Sequence, residues 1–133
     1  MPGDFFDTNV LLYLASDDAA KADRAEAVIA RGGAISVQVL NEIATVARRK
    51  MQMSWAETQA FLATLRSLLT VHPLTVETHE TGLDLAERYG LSIFDAMIAA
   101  SAIGAGCKTL LSEDMQHGMM LREGLRIVNP FRS

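Results

Sequence analysis

Short apolar runs alternate along the chain with longer stretches in which apolar residues recur at helical spacing. Asp4-Phe5-Phe6 leads into the polar turn Asp7-Thr8-Asn9 and then Val10-Leu11-Leu12-Tyr13-Leu14, which reads as a strand, a turn and a helix start. Ala19 to Arg31 predicts a helix closed by Gly32-Gly33, where glycine takes the left-handed backbone that ends one. Ala34 to Val37 predicts a second strand. Helical spacing resumes with Val39, Leu40, Ile43, Val46 and Ala47, and Ser54 with Glu57 forms a capping-box pattern opening the next helix. Val71 to Leu74 predicts a third strand; Pro73 has no N–H to give, which places that strand at a sheet edge. A helix over about Val76 to Tyr89 stops at Gly90 and is followed by one near Phe94 to Ala105. Strands at Thr109–Leu111 and Leu125–Val128 complete the pattern.

Strands alternating with helices imply βα repeats, and hence a mostly parallel sheet covered on both faces. No internal repeat, low-complexity segment or linker interrupts the pattern. The expectation is a single domain over residues 1–133, an α/β/α sandwich. In such sheets ligands bind outside the carboxyl ends of the strands, where strand order reverses. Asp7 and Asp114 both follow predicted strands directly.

Bulk properties narrow the class. The 133 residues are 50% hydrophobic and 21% charged, ordinary for a globular domain and too apolar for disorder. One cysteine, Cys107, excludes an internal disulfide framework and a cysteine-based zinc site, and suits a reducing compartment. No secretory leader pattern and no apolar run of membrane-spanning length is seen, so the expected location is the cytoplasm. A net charge of −4 argues against a protein that simply coats nucleic acid. Setting aside the four acids discussed next leaves the remainder neutral.

Those acids are Asp7, Glu42, Asp95 and Asp114. Asp7 precedes a helix start, a position that equally suits an N-cap. Glu42 lies at the edge of the apolar arc of its helix; a solvent-reaching side chain, or an ion pair with Arg49, would account for it as well. Asp95 is the sole charge in Ile93 to Ile103, a segment apolar nearly all round and so expected to be buried. An unpaired carboxylate there is costly, and Ser92 at a helix N-terminus would offset only about 0.3–1 kcal/mol of that cost. A bound cation explains Asp95 better. Asp114 follows a predicted strand within a turn-like Ser112-Glu113-Asp114; Glu113 is an outside candidate to share the metal work, but is expected to point the other way from Asp114. Together the four suit an oxygen-rich site for a hard cation such as Mg²⁺. A pair of such ions about 3.5–4 Å apart can support in-line phosphoryl displacement.

Four segments carry a family likeness: Phe6 to Leu11 (FDTNVL), Ser36 to Glu42 (SVQVLNE), Phe94 to Ala102 (FDAMIAASA) and Leu110 to Met115 (LLSEDM). In order and spacing, from about Asp4 to Asn129, the chain resembles the PIN domain, most closely the VapC-type toxins of bacterial toxin–antitoxin pairs. The resemblance implies a parallel sheet in the order 3-2-1-4-5, bringing Asp7 and Asp114 together. It implies an Mg²⁺- or Mn²⁺-dependent endoribonuclease with Asp7, Glu42, Asp95 and Asp114 as its acids and Asn9 and Ser112 in support. It also implies RNA as substrate, a homodimer, and a small antitoxin whose tail fills the acidic groove.

Other residues are left out of the chemistry. His72, His79 and His117 lack paired metal-ligand spacing. Met51, Met53, Met115, Met119 and Met120 suit gap filling or a partner surface, and Cys107 a small core position. Arg48-Arg49-Lys50 ends a helix, which the helix dipole favours; phosphate contact is the functional alternative. Two rival functions are a metal-dependent phosphatase and a non-catalytic assembly subunit. Asp7-Thr8-Asn9 lacks the second Asp that haloacid-dehalogenase-like phosphatases carry two residues after the nucleophile.

Overall fold

The computed structural model describes residues 3–132. Met1, Pro2 and Ser133, the ends of the expected 1–133 span, lie outside the described residues. The strands are β1 (Asp4–Phe6), β2 (Gly33–Ser36), β3 (Thr70–His72), β4 (Thr109–Leu111) and β5 (Arg126–Val128). The helices are α1 (Thr8–Leu12), α2 (Ala19–Ala30), α3 (Val37–Arg49), α4 (Trp55–Leu68), α5 (Val76–Tyr89) and α6 (Ile93–Gly104). Short 3₁₀ turns occupy Tyr13–Ala15 and Arg122–Gly124.

The five strands form one sheet in the order β3-β2-β1-β4-β5, and all four pairings are parallel. Helices cover it to give the three-layer α/β/α sandwich expected from the alternation of elements. β1 is central, and its consecutive Phe5 and Phe6 are both fully buried, as a strand covered on two faces requires. The chain runs outward from β1 through β2 to β3, then returns to the other side of β1 for β4 and β5. Strand order therefore reverses between β1 and β4.

One contiguous core joins the layers, with Leu11, Ile35, Ile43, Leu65, Leu85, Ile98 and Ile127 fully buried. Each such side chain contributes on the order of 1.5–3 kcal/mol by leaving water. Gly33 shows how closely β1 and β2 approach. Its φ is +144°, and a Cβ there would stand 2.3 Å from the Asp4 carbonyl oxygen.

Element ends differ from expectation where one residue serves two elements. Val37, expected in a strand, is the first residue of α3, because Ser36 both ends β2 and caps the helix through its Oγ, which accepts from Val39 N. β3 stops at His72, before Pro73, and lies at the sheet edge. The capping box at Ser54 and Glu57 forms as expected. The largest difference concerns α6. Its first turn is exposed, with Ile93 at 47% and Phe94 at 63%, and burial becomes continuous only from Ala96 to Ala102. Asp95 is thus half-buried in the first turn, not enclosed in an apolar helix.

Candidate metal centre

The carboxyl ends of β1 and β4 lie side by side. Phe6 pairs with Leu111, and Asp7 N donates to Leu111 O at 2.9 Å. Asp7 then caps α1 from extended backbone, its Oδ1 accepting from Thr8 N at 2.7 Å. Its Oδ2 accepts from Ser112 Oγ at 2.7 Å and from Asn9 Nδ2 at 3.1 Å. Capping and site membership are therefore compatible in Asp7. With only 3% of the residue exposed, burial pushes its carboxyl up from 3.8 to about 6. The hydrogen bonds from Ser112 and Thr8 oppose that rise, while the charges of Asp95 and Glu42 add to it.

Glu42 reaches the same place from α3. Thr8 Oγ1 donates to its Oε1 at 2.8 Å and Gln38 Nε2 to its Oε2 at 2.7 Å, so it is held by neutral donors and not by Arg49. Asp95 is the third residue of α6, with Ser92 as the N-cap. Burial raises its pKa, the Ser92 hydroxyl lowers it, and the carboxylates of Glu42 and Asp114 raise it. Asp114 is exposed on the loop after β4.

All four acids line one open cleft of about 730 Å³. Asn9 and Lys50 line it with them, while Ser112 is fully buried beneath Asp7. Among the described residues, no three acidic, histidine or cysteine side chains already converge on a single ion position. The hydrogen bonds explain part of this: both oxygens of Asp7 and both of Glu42 are occupied by the protein's own donors. The donor set still fits a hard divalent cation. It is all oxygen, and Mg²⁺ keeps several waters and needs few direct carboxylates. Burial first, and repulsion from neighbouring carboxylates after it, raises the pKa of Asp7 and Asp95, and a bound divalent charge would oppose both effects.

The three basic residues at the end of α3 separate. Lys50 faces the acidic cleft. Arg48 donates to Met53 O and stacks over the Trp55 ring at 4.3 Å, and Arg49 lies beside the same tryptophan. Glu113 turns away from the cleft, as expected, onto Lys21 and Tyr13. His117 Nδ1 accepts from Asn129 N, a structural contact, and Cys107 is buried. Thr8 and Gln38, which hold Glu42, were not anticipated. Gln38 sits one helical turn before Glu42, a spacing readable in the sequence. Thr8 lies 34 residues away, and only the fold brings it there.

Among solved structures, a toxin–antitoxin complex from Klebsiella pneumoniae superposes with a TM-score of 0.75 at 23% identity, covering 98% of this chain and 100% of that one. VapC20 of Mycobacterium tuberculosis, a toxin that cleaves the sarcin–ricin loop, gives 0.68 at 22%, covering 84% and 90%. A DNA-bound VapBC from Salmonella typhimurium gives 0.63 at 21%, covering 96% and 97%. At such identities the likeness speaks for the fold. No curated protein matches in sequence. The PIN domain profile matches residues 5–117, a span that runs from within β1 through β4 and contains all four acids of the cleft. By that match the chain belongs to the PIN domain family.

Proposed function

We propose that this protein is a divalent-metal-dependent endoribonuclease and the toxin of a toxin–antitoxin pair. The observation that carries the reading is the cleft lined by Asp7, Glu42, Asp95 and Asp114, with Asp7 pushed to about 6 by burial and by its acidic neighbours. A site that sets four carboxylates against one lysine, Lys50, is poorly built for binding a polyanion alone, and well built for a cation that a phosphate can join.

Mg²⁺ or Mn²⁺, when bound, lowers the pKa of water and offsets charge on the phosphate. Asp7, Asp95 and Asp114 are the residues that would hold it, with Glu42 as a further ligand or as the group that orients water. Ser112, Asn9 and the Thr8 amide fix the Asp7 carboxylate in one orientation. Thr8 and Gln38 do the same for Glu42. In-line hydrolysis of an RNA phosphodiester would break the bond to the 3′ oxygen, leaving a 5′-phosphate and a 3′-hydroxyl. Asn9 donates to Asp7 instead of supplying a second acid, which disfavours phosphatase chemistry of the haloacid-dehalogenase kind. The VapBC and toxin–antitoxin complexes among the structural relatives support a small antitoxin as partner, and we extend the reading to a homodimer acting on RNA.

The purified chain tests this directly. It should cleave a mixed-sequence single-stranded RNA with Mn²⁺ or Mg²⁺, stop on adding EDTA, and release no phosphate from phosphomonoesters. Asp7→Asn should be folded and inactive. Cleavage that survives both chelation and Asp7→Asn would overturn the assignment. A folded parent chain with no metal-dependent cleavage of any RNA tried would favour a non-catalytic subunit.

A further inference from the structure

We propose that Lys21, Tyr13 and Glu113 form a latch that positions Asp114 for the divalent cation; the inference rests on the metal-centre reading above. Asp114 is exposed on the loop after β4, and no hydrogen bond or ion pair holds its carboxylate among the described residues. Its position is therefore set by the backbone on either side. On one side, Met115 N donates to Ser112 Oγ at 3.1 Å, the same hydroxyl that donates to Asp7. On the other, Glu113 N donates to Asn9 Oδ1 at 3.0 Å, while Asn9 Nδ2 donates to Asp7.

The Glu113 side chain carries the rest. Tyr13 OH donates to its Oε1 and Lys21 Nζ to its Oε2, each at 2.5 Å, and Lys21 Nζ also donates to Tyr13 OH at 3.1 Å. Both oxygens of a carboxylate adjacent to a candidate ligand are thus committed away from the cleft. The cation that holds them is flanked by two aromatic rings on its partly exposed ammonium. Lys21 Nζ stands 4.8 Å from the Tyr13 ring centre and 5.5 Å from that of Phe131, and the two rings meet edge to face at 4.8 Å. Arg24 Nε donates to Pro130 O at 2.8 Å, tying the C-terminal segment to α2 beside the latch.

A partly exposed ion pair contributes little to global stability, and Lys21 and Glu113 are 35% and 24% exposed in their side chains. What such a contact can do is order one loop. Metal ligands must be held within about 0.5 Å of their working geometry, and partners behind the ligands supply that precision. Lys21, Tyr13 and Glu113 are accordingly positioning residues, acting on the metal through Asp114.

The test uses the full chain with Lys21→Met, Glu113→Gln and the charge-swapped Lys21→Glu/Glu113→Lys, beside the parent and Asp7→Asn. Two measurements are made: amide exchange over residues 112–116, and Mn²⁺ affinity by calorimetry. Exchange at these amides should speed up in both single variants, and Mn²⁺ affinity should fall by about tenfold, as for other groups that act behind a ligand. The charge swap should recover part of both. Unchanged exchange in the single variants overturns the latch. Faster exchange with unaltered Mn²⁺ affinity also overturns it, since the loop would then be held for a reason unrelated to metal. A parent chain that binds no Mn²⁺ overturns the metal-centre reading and the latch together, an outcome distinct from either of the others.

Discussion

Ser112 Oγ donates to Asp7 Oδ2 at 2.7 Å, joining residues 105 apart in sequence and linking the end of β4 to the end of β1. Ser112 is fully buried and its oxygen also accepts from Met115 N. Ser112→Ala therefore removes two contacts at once, leaving a buried carboxylate oxygen with fewer donors. We predict a loss of about 1–3 kcal/mol in denaturant unfolding. The Asp7 carboxyl should rise further, since the lost hydrogen bond is the first of those that hold it down. Carbon-detected NMR titration of the carboxyl would show it; no upward movement would contradict this account.

The metal-free chain should carry a pH-dependent penalty at Asp7. Below about pH 3.8 the folded and unfolded forms are both protonated there and no penalty exists. As pH rises to about 6, the unfolded chain releases its proton first, and the fold loses stability by something on the order of 3 kcal/mol. Asp7→Asn lacks this proton. Its stability relative to the parent should accordingly improve between pH 4 and 7, and saturating Mn²⁺ should stabilise the parent but not the variant. A difference between the two chains that is flat with pH would count against the burial of Asp7.

Thr8→Val tests the orientation of Glu42. The substitution keeps the shape of a residue only 6% exposed and removes the hydroxyl that donates to Glu42 Oε1. Stability should fall by about 1 kcal/mol. The kcat for RNA cleavage should fall by about tenfold with KM little changed if Glu42 has the proposed role of holding the ion or orienting water, which is not a substrate-binding role. A change confined to KM would reassign Glu42.

Lys50 and Arg48 should behave differently, although both belong to one basic triplet. Lys50 faces the cleft, so Lys50→Ala should weaken RNA binding across sequences and lower the salt slope by about 1. Arg48 is committed to Met53 O and the Trp55 ring, so Arg48→Ala should lower stability by about 1 kcal/mol and leave the salt slope alone. Salt-dependent binding to the Asp7→Asn background separates the two; equal slopes for both variants would contradict the placement.

The division between what was legible in the sequence and what was not follows the range of the interactions. Strand and helix alternation, the edge position of β3 and the capping box at Ser54 are local or periodic signals, and they are present in the fold. The acids were legible as strand-end and helix-boundary carboxylates, and the cleft gathers all four. Asp95 is not enclosed as the apolar run around it predicts. Its helix begins two residues earlier with an exposed turn, so the charge sits near a helix N-terminus and not within an apolar enclosure. Periodicity reports the average burial of a segment and cannot resolve its first turn. The most enclosed acid is Asp7, whose neighbours in sequence are a polar turn; its burial comes from β4 and Ser112, more than a hundred residues away. Side-chain pairings such as Thr8 with Glu42 and Lys21 with Glu113 are equally long-range, and no spacing rule reaches them.

On the function proposed here, the cleft of Asp7, Glu42, Asp95 and Asp114 holds a metal-dependent RNA-cleaving centre. The most direct measurement is sequencing of cellular RNA 5′ ends after inducing this chain alone, with Asp7→Asn as the control. Discrete new 5′-monophosphate ends are expected with the parent chain and none with the variant. Identical end profiles for the two chains, with both shown to be folded, would contradict it.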